Sequence, residues 1–366
     1  MNLKREEQQL ILEGKAYSVE AISQLIATTP RGSSPFLEEL YLFLKDWFSP
    51  SPTITVHTSG STGTPKQLTV LKEQMMQSAR LTCEYLNLQA GDSALLCMPL
   101  QYIAGKMMVV RALVAGLNLI LRTPSGHPMA EVDTPVHFAA MVPLQVYNSL
   151  RVPEEKERLG RIKILLIGGG AIDAALETEI KQLPNTAYST YGMTETLSHI
   201  ALRQLNGANA SSRYQPFSSV SLSLSADNTL VINAPLVCND QLKTNDVARL
   251  FDDGTFNILG RKDNIINSGG IKVQTEVIEE ILRPEVPVAF AITSVPDRLL
   301  GEAIVLLMES TADSTQIKER INILLPKYQQ PKHIYVVDSI PLTGSGKIDR
   351  EKCRLLAGTF RLTSSS

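Results

Sequence analysis

Nine consecutive residues, Thr58-Ser59-Gly60-Ser61-Thr62-Gly63-Thr64-Pro65-Lys66, gather hydroxyls, glycines and one lysine directly after the apolar strand-like run Thr53-Ile54-Thr55-Val56. Such a loop is suited to phosphate oxygens. Glycines let backbone N–H groups approach an anion at positive φ, the hydroxyls add donors, and Lys66 supplies charge. The segment is not a Walker A loop, because Pro65 precedes Lys66 and Gln67 follows it. That excludes the ordinary kinase or GTPase cradle and requires a fold that presents this loop from a strand end. A surface Ser/Thr/Gly linker would show neither this spacing nor a Pro-Lys end.

The flanking chain supplies such a fold. Residues 36–44 place apolar groups at helical spacing before the Ser-Pro-Ser-Pro break at 49–52, and from there to about residue 205 strands and helices alternate. Leu95-Leu96-Cys97-Met98 and Ile164-Leu165-Leu166-Ile167 read as short buried strands followed by Gly or Pro and a helical pattern, the signature of an α/β sheet. Residues 107–121 are apolar but interrupted by Arg111, Gly116 and Asn118 and too short to span a bilayer, so they read as a buried amphipathic helix followed by a strand. Between Val220 and Ile258 the period becomes two, and Leu250-Phe251-Asp252-Asp253-Gly254-Thr255-Phe256 reads as a hairpin with an Asp-Gly turn. After Asp263 follows a compact α+β segment: a helix at 275–282, strands near 289–293 and 304–308, a helix near 317–325 and a strand at 334–337.

At 366 residues the chain is long enough for two domains. With 35 basic against 37 acidic residues and no long Lys/Arg run, nucleic acid is not an expected partner. Cys83, Cys97, Cys238 and Cys353 form no CxxC pair, and the N-terminus turns acidic where a signal peptide needs an apolar stretch. A cytoplasmic protein without membrane insertion is the expectation.

The nine-residue loop resembles the signature of the adenylate-forming superfamily, which includes acyl-CoA synthetases, adenylation domains and luciferases. Further motifs of that family follow in order: Tyr191-Gly192-Met193-Thr194-Glu195, Thr244-Asn245-Asp246, Gly260-Arg261-Lys262-Asp263, Ser268-Gly269-Gly270 and Pro341-Leu342-Thr343-Gly344-Ser345-Gly346-Lys347-Ile348. The resemblance implies the adenylate-forming fold: a large N-terminal α/β domain over 1–262 with a β-rich subdomain, and a small mobile α+β domain over 263–366, hinged at Asp263. The phosphate loop begins at Thr58 where most relatives have well over a hundred residues before it, so much of the family's N-terminal subdomain is expected to be missing.

The resemblance implies ATP, Mg²⁺ and CoA as reaction partners of a small carboxylic acid, with a homo-oligomer left open. In the phosphate loop it implicates Thr58, Ser59, Gly60, Ser61, Thr62, Gly63 and Lys66, with Thr58, Ser59 and Thr62 on the β- and γ-phosphates. Thr194 would contact the α-phosphate and Glu195 would help hold Mg²⁺, a cation that prefers oxygen ligands. Tyr191, beside Gly192, would stack near adenine. Asp246 would accept the ribose hydroxyls, Arg261 would reach the sugar or phosphate, and Gly168-Gly169-Gly170 would form a wall against adenine and the acyl group. A dinucleotide fingerprint at those glycines fails, because its third glycine would fall at Asp173. Lys347 would be the mobile catalytic lysine bridging the carboxylate and the α-phosphate, and Ser268, Gly269 and Gly270 would line the route of the pantetheine thiol. His199 is read as lining the acyl pocket or, less directly, as a base for that thiol.

Two stretches, residues 99–113 and Tyr191 to His199, resemble the short o-succinylbenzoate–CoA ligases of menaquinone biosynthesis. The alternatives are another aryl- or acyl-CoA ligase, a carrier-protein-loading adenylation enzyme, and a catalytically silent nucleotide-binding relative. Retention of Glu195 and Lys347 counts against the last. o-Succinylbenzoate carries a second carboxylate that needs a cation or polar donors in an apolar pocket. Lys106 and Arg111 lie in one apolar stretch, about 140° apart on a helix, so only one can face the pocket. Lys106, beside Gly105, is the residue the sequence favours.

Overall fold

The computed structural model describes residues 4–28, 34–57, 67–309, 314–342 and 348–363. The chain opens with a hairpin, β1 (Leu10–Leu12) and β2 (Lys15–Tyr17), then α1 (Val19–Thr28) and α2 (Pro35–Phe48). Phe36, Leu40, Tyr41, Phe43, Leu44 and Trp47 of α2 recur every three or four residues and are buried, the pattern of a helix with one apolar stripe. Next come β3 (Thr53–His57) and β4 (Gln67–Leu71), an antiparallel pair that stands apart from the main sheet with His57 opposite Gln67.

The alternating region is α3 (Lys72–Tyr85), β5 (Ser93–Leu96), α4 (Ile103–Ala115), β6 (Asn118–Leu121), β7 (Phe138–Met141), α5 (Pro143–Arg151), α6 (Pro153–Gly160), β8 (Ile164–Ile167), α7 (Ala174–Ile180) and β9 (Thr186–Gly192). It continues antiparallel through β10 (His199–Gln204) and β11 (Gln215–Pro216). Among the described residues the main sheet runs β11-β10-β9-β8-β7-β5-β6-β1-β2, parallel from β9 to β1. The chain passes from β5 outward to β6 and returns to β7 on the other side of β5. That reversal is where open α/β sheets place ligands, beyond the carboxyl ends of the strands.

One expectation is corrected here. The helix of the 107–121 run is not amphipathic: Gly105 through Leu113 are all buried in α4, including Lys106 and Arg111. A helix sandwiched between α3 and the sheet has no solvent face to mark with polar residues. No helix among the described residues is long and apolar enough to cross a membrane.

The β-rich stretch forms a second sheet, β12 (Ser221–Leu224), β13 (Thr229–Asn233), β14 (Leu242–Leu250) and β15 (Phe256–Arg261), with Leu250 opposite Phe256 across the Asp-Gly turn. A one-turn 3-10 helix, Lys262–Asn264, leads into β16 (Ile265–Ser268), β17 (Ile271–Gln274), α8 (Thr275–Leu282), β18 (Phe290–Asp297), β19 (Gly301–Glu309), α9 (Ser314–Leu324), β20 (His333–Val337) and α10 (Arg350–Thr363). These strands form a third sheet, in which β19 pairs along its length with β18 and, on its other edge, with β16 at Gly301 and in parallel with β20 from Val305 to Glu309.

Candidate active site

The carboxyl end of β9 runs through Gly192 into a tight turn that returns as β10. Gly192 stands opposite His199, and a Cβ on it would lie 2.3 Å from the Ser198 carbonyl oxygen and 2.5 Å from His199 Cα, so no larger residue fits without moving backbone. Thr196 ties the turn together: its hydroxyl lies 3.1 Å from the Met193 N–H, 3.0 Å from the Met193 carbonyl and 2.8 Å from the Ser198 carbonyl. Leu197 is held at φ +65°, ψ −33° and is buried. Such a conformation is costly for a residue with a branched side chain and persists where surrounding contacts impose it. The result is a rigid presentation of Thr194, half-buried, and Glu195, exposed, at the sheet's carboxyl edge.

Tyr191 faces the second sheet. Its hydroxyl donates to Asp246 Oδ2 at 2.7 Å, and Arg261 donates to Asp246 Oδ1 at 3.1 Å. Burial, reinforced by the Asp246 carboxylate, pushes the Tyr191 phenol well above its usual range, so it remains a donor. Its ring packs on Phe256 at 5.2 Å and Tyr214 at 5.9 Å. Arg261 uses its other amine on Asp263 at 2.9 Å, and Asn245 donates to both Asp263 oxygens. Four residues drawn from three sequence motifs, Tyr191, Asp246, Arg261 and Asp263, are thus joined in one network. Gly168 and Gly169 continue the sheet's carboxyl edge beside β9: a Cβ on Gly168 would fall 2.1 Å from the Thr190 hydroxyl. Gly170 follows them, half-buried.

A second polar cluster is sunk between α3, α4 and β10. Arg111, 2% exposed, donates to Ser198 Oγ at 2.6 Å and lies 3.8 Å from Met108 Sδ, while its Nε has no hydrogen-bond partner among the described residues. Among the described residues no carboxylate pairs with it. Burial pulls its pKa down to about 10, so it stays cationic at neutral pH. His199, also buried, has Nε2 2.9 Å from the Thr82 hydroxyl and Nδ1 3.3 Å from Ser198 Oγ. Burial and then the neighbouring Arg111 charge hold its pKa well below the ordinary histidine value. It is a ring held neutral with both nitrogens engaged.

Lys106 corrects an expectation. Its ammonium turns back to the Leu100 carbonyl at 2.6 Å and the Gln101 carbonyl at 3.3 Å, closing the loop ahead of α4. The helical separation anticipated from the spacing is present, but it is Arg111 that points toward the Thr194–Glu195 turn. Ser198 and Thr82 were not singled out as site residues. Ser198 lies in the motif stretch already recognised, whereas nothing local marks Thr82, whose partner is 117 residues away.

Ser268 ends β16 opposite Ile271, and Gly269 and Gly270 form the two-residue connection of the β16–β17 hairpin, with φ +61° at Gly269 and +83° at Gly270. Positive φ at both turn positions matches the twist of the strands and explains the glycine pair. Gly269 N–H donates to the Leu300 carbonyl at 2.8 Å, bracing the turn on the β18–β19 tip, and nothing lies within 4 Å of a Cβ built on Gly270. Thr58, Ser59, Gly60, Ser61, Thr62, Gly63, Lys66 and Lys347 lie outside the described residues.

The model of AMP-binding enzymes matches residues 28–233, more than half of the chain. The chain belongs to this family. Among curated relatives, the 2-succinylbenzoate–CoA ligase of Bacillus licheniformis is 26% identical over 329 residues, covering 81% of this chain and 68% of the relative. That of Escherichia coli is 25% identical over 310 residues, covering 80% and 66%. Among solved structures, an acyl-CoA synthetase (AMP-forming)/AMP-acid ligase II-like protein from Dyadobacter fermentans is 32% identical with a TM-score of 0.62, covering 90% of this chain and 96% of that one. The o-succinylbenzoate coenzyme A synthetase of Bacillus subtilis, solved with ATP and magnesium ion, aligns with a TM-score of 0.69 at 22% identity, covering 81% and 69%. The fold is the adenylate-forming one.

Proposed function

We propose that this AMP-binding enzyme is an ATP-dependent acid–CoA ligase acting on o-succinylbenzoate. A carboxylate resists attack by a thiol because its charge repels the nucleophile and oxide is a poor leaving group. In the first step a carboxylate oxygen attacks the α-phosphorus of ATP and pyrophosphate leaves. In the second the CoA sulfur attacks the acyl carbon, its proton is lost, and AMP departs. The printed names of the curated relatives and the buried cluster of Arg111, Ser198 and His199 support this reading.

Asp246 and Arg261 would hold the ribose, Tyr191 would fix Asp246 and form one wall, and Thr194 would meet the α-phosphate. Glu195 fits a magnesium site, since its exposed carboxylate has no partner among the described residues. Bound there, Mg²⁺ would neutralise charge developing on the phosphates. Lys347 is assigned the first step by resemblance, the Gly269–Gly270 turn the approach of the thiol, and Asp263 the hinge between residues 1–262 and 263–366.

The observation that carries the choice of acid is Arg111: a buried guanidinium with no carboxylate of its own among the described residues, bonded to Ser198 beside the Thr194–Glu195 turn. An unpaired buried cation is costly unless a ligand completes it, and the ring carboxylate of o-succinylbenzoate is such a ligand. Arg111→Met is expected to lower kcat/KM for o-succinylbenzoate by on the order of tenfold or more relative to the analogue lacking the ring carboxylate. Lys106→Met should lower both alike. Equal losses for the two acids in Arg111→Met would reject Arg111 as the anion site.

A further inference from the structure

The buried apolar clusters of residues 10–256 and of residues 266–360 share no member among the described residues. The chain passes from one to the other through the turn Lys262–Asn264. The side-chain contacts at this crossing are polar and face solvent. Asn245 Nδ2 donates to Asp263 Oδ1 at 3.2 Å and Oδ2 at 3.1 Å, Arg261 donates to Asp263 at 2.9 Å, Lys262 pairs with Asp227, and Gln274 Nε2 donates to the Arg261 carbonyl at 2.8 Å. A joint across which no buried apolar cluster runs among the described residues, held by exposed polar contacts, opens at small cost.

Asn245 differs from the other donors. Lys262 belongs to the connecting turn and Arg261 is the last residue of β15, directly before it, whereas Asn245 sits within β14, where its neighbours are fastened. Thr244 Oγ1 donates to the Leu230 carbonyl at 2.8 Å, and the Asp246 N–H donates to Thr244 Oγ1 at 3.1 Å. Asn245 is therefore a fixed point of the second sheet that reaches across to the turn. Beside it Asp246 faces the other way, toward Tyr191, and the Arg261 fork spans the two carboxylates.

We propose that Asn245 is a positioning residue that latches Asp263, holding the C-terminal part in the orientation seen here, and that Arg261 couples this latch to the occupancy of Asp246. A ribose hydroxyl bonded to Asp246 competes with Arg261 for that carboxylate and leaves the fork free to shift toward Asp263. The catalytic consequence rests on the ligase reading; the structural one does not.

Spin labels at Lys156→Cys and Lys318→Cys, both exposed and on opposite sides of the turn, report the separation of the two parts. Cys238→Ser would remove the partly exposed native thiol, the other three cysteines being buried. Asn245→Ala is expected to shift or broaden the distance distribution of the ligand-free protein. It should also change the ratio of acyl-adenylate formation to thioester formation by about threefold or more, with the KM for ATP moving less than about twofold. In an Asp263→Ala background, Asn245→Ala should add nothing to either readout. An unchanged distance distribution, or effects of the two substitutions that simply add, would overturn the latch. Should the chain form no thioester at all, the ligase reading fails while the distance measurement still decides the latch.

Discussion

His199 illustrates how burial turns a reactive residue type into a structural one. Its ring is locked between Thr82 and Ser198 and its protonated form is disfavoured by burial and by Arg111. The folded-state pKa lies below the unfolded value near 6.5, so as pH falls through that value the unfolded chain gains a proton that the folded chain does not. Stability should therefore decline below about pH 6.5, by at most about 1.4 kcal/mol per pH unit from this residue. Urea unfolding at about pH 7.5 and about pH 5.5 should show a smaller acid loss in His199→Gln than in the unmodified protein, and identical losses would contradict the buried neutral ring. The histidine and the buried arginine were both visible in the sequence. Their partners were not, because Arg111 meets Ser198 across 87 residues and His199 meets Thr82 across 117. Local spacing could separate Lys106 from Arg111 around a helix, but it could not say which side faced the pocket.

Elements whose own residues dictate their form were legible. The helix at 275–282 was read to the residue and the Asp-Gly hairpin before Phe256 was placed in register, because one follows apolar periodicity and the other turn chemistry. The hairpin of β1 and β2 and the final helix α10 went unread. The first is three residues a side and exists through pairing with β6, 107 residues along from Ile11 to its partner Asn118. The β16–β17 hairpin was recognised only through its glycines. Its turn is braced on Leu300 and leaves open space beyond Gly270 among the described residues, so bulk placed there lies in the proposed path of the thiol and away from the Tyr191–Asp246–Arg261 network. Gly270→Trp is expected to slow thioester formation from a supplied acyl-adenylate by about tenfold or more while sparing adenylate formation, allowing for some strain at positive φ. Normal thioester formation by that variant would remove this turn from the thiol's route.

For the whole molecule, the α/β character, the switch to a β-rich stretch and the later α+β segment followed from periodicity and its changes. The order of strands and the position of the reversal beside β5 did not, since those depend on which apolar faces meet. The account joins three things that the fold alone leaves separate: a hydrogen-bonded network at Tyr191, Asp246 and Arg261, a buried cation at Arg111 with no carboxylate partner among the described residues, and a polar joint at Asp263. A two-step ligase for a dicarboxylic acid uses all three. The direct test is incubation of the purified chain with ATP, Mg²⁺, CoA and o-succinylbenzoate, following products by mass spectrometry and phosphate analysis. The account predicts o-succinylbenzoyl-CoA, AMP and pyrophosphate in equal amounts; thioester from other acids with none from o-succinylbenzoate, or nucleotide cleavage to ADP, would contradict it.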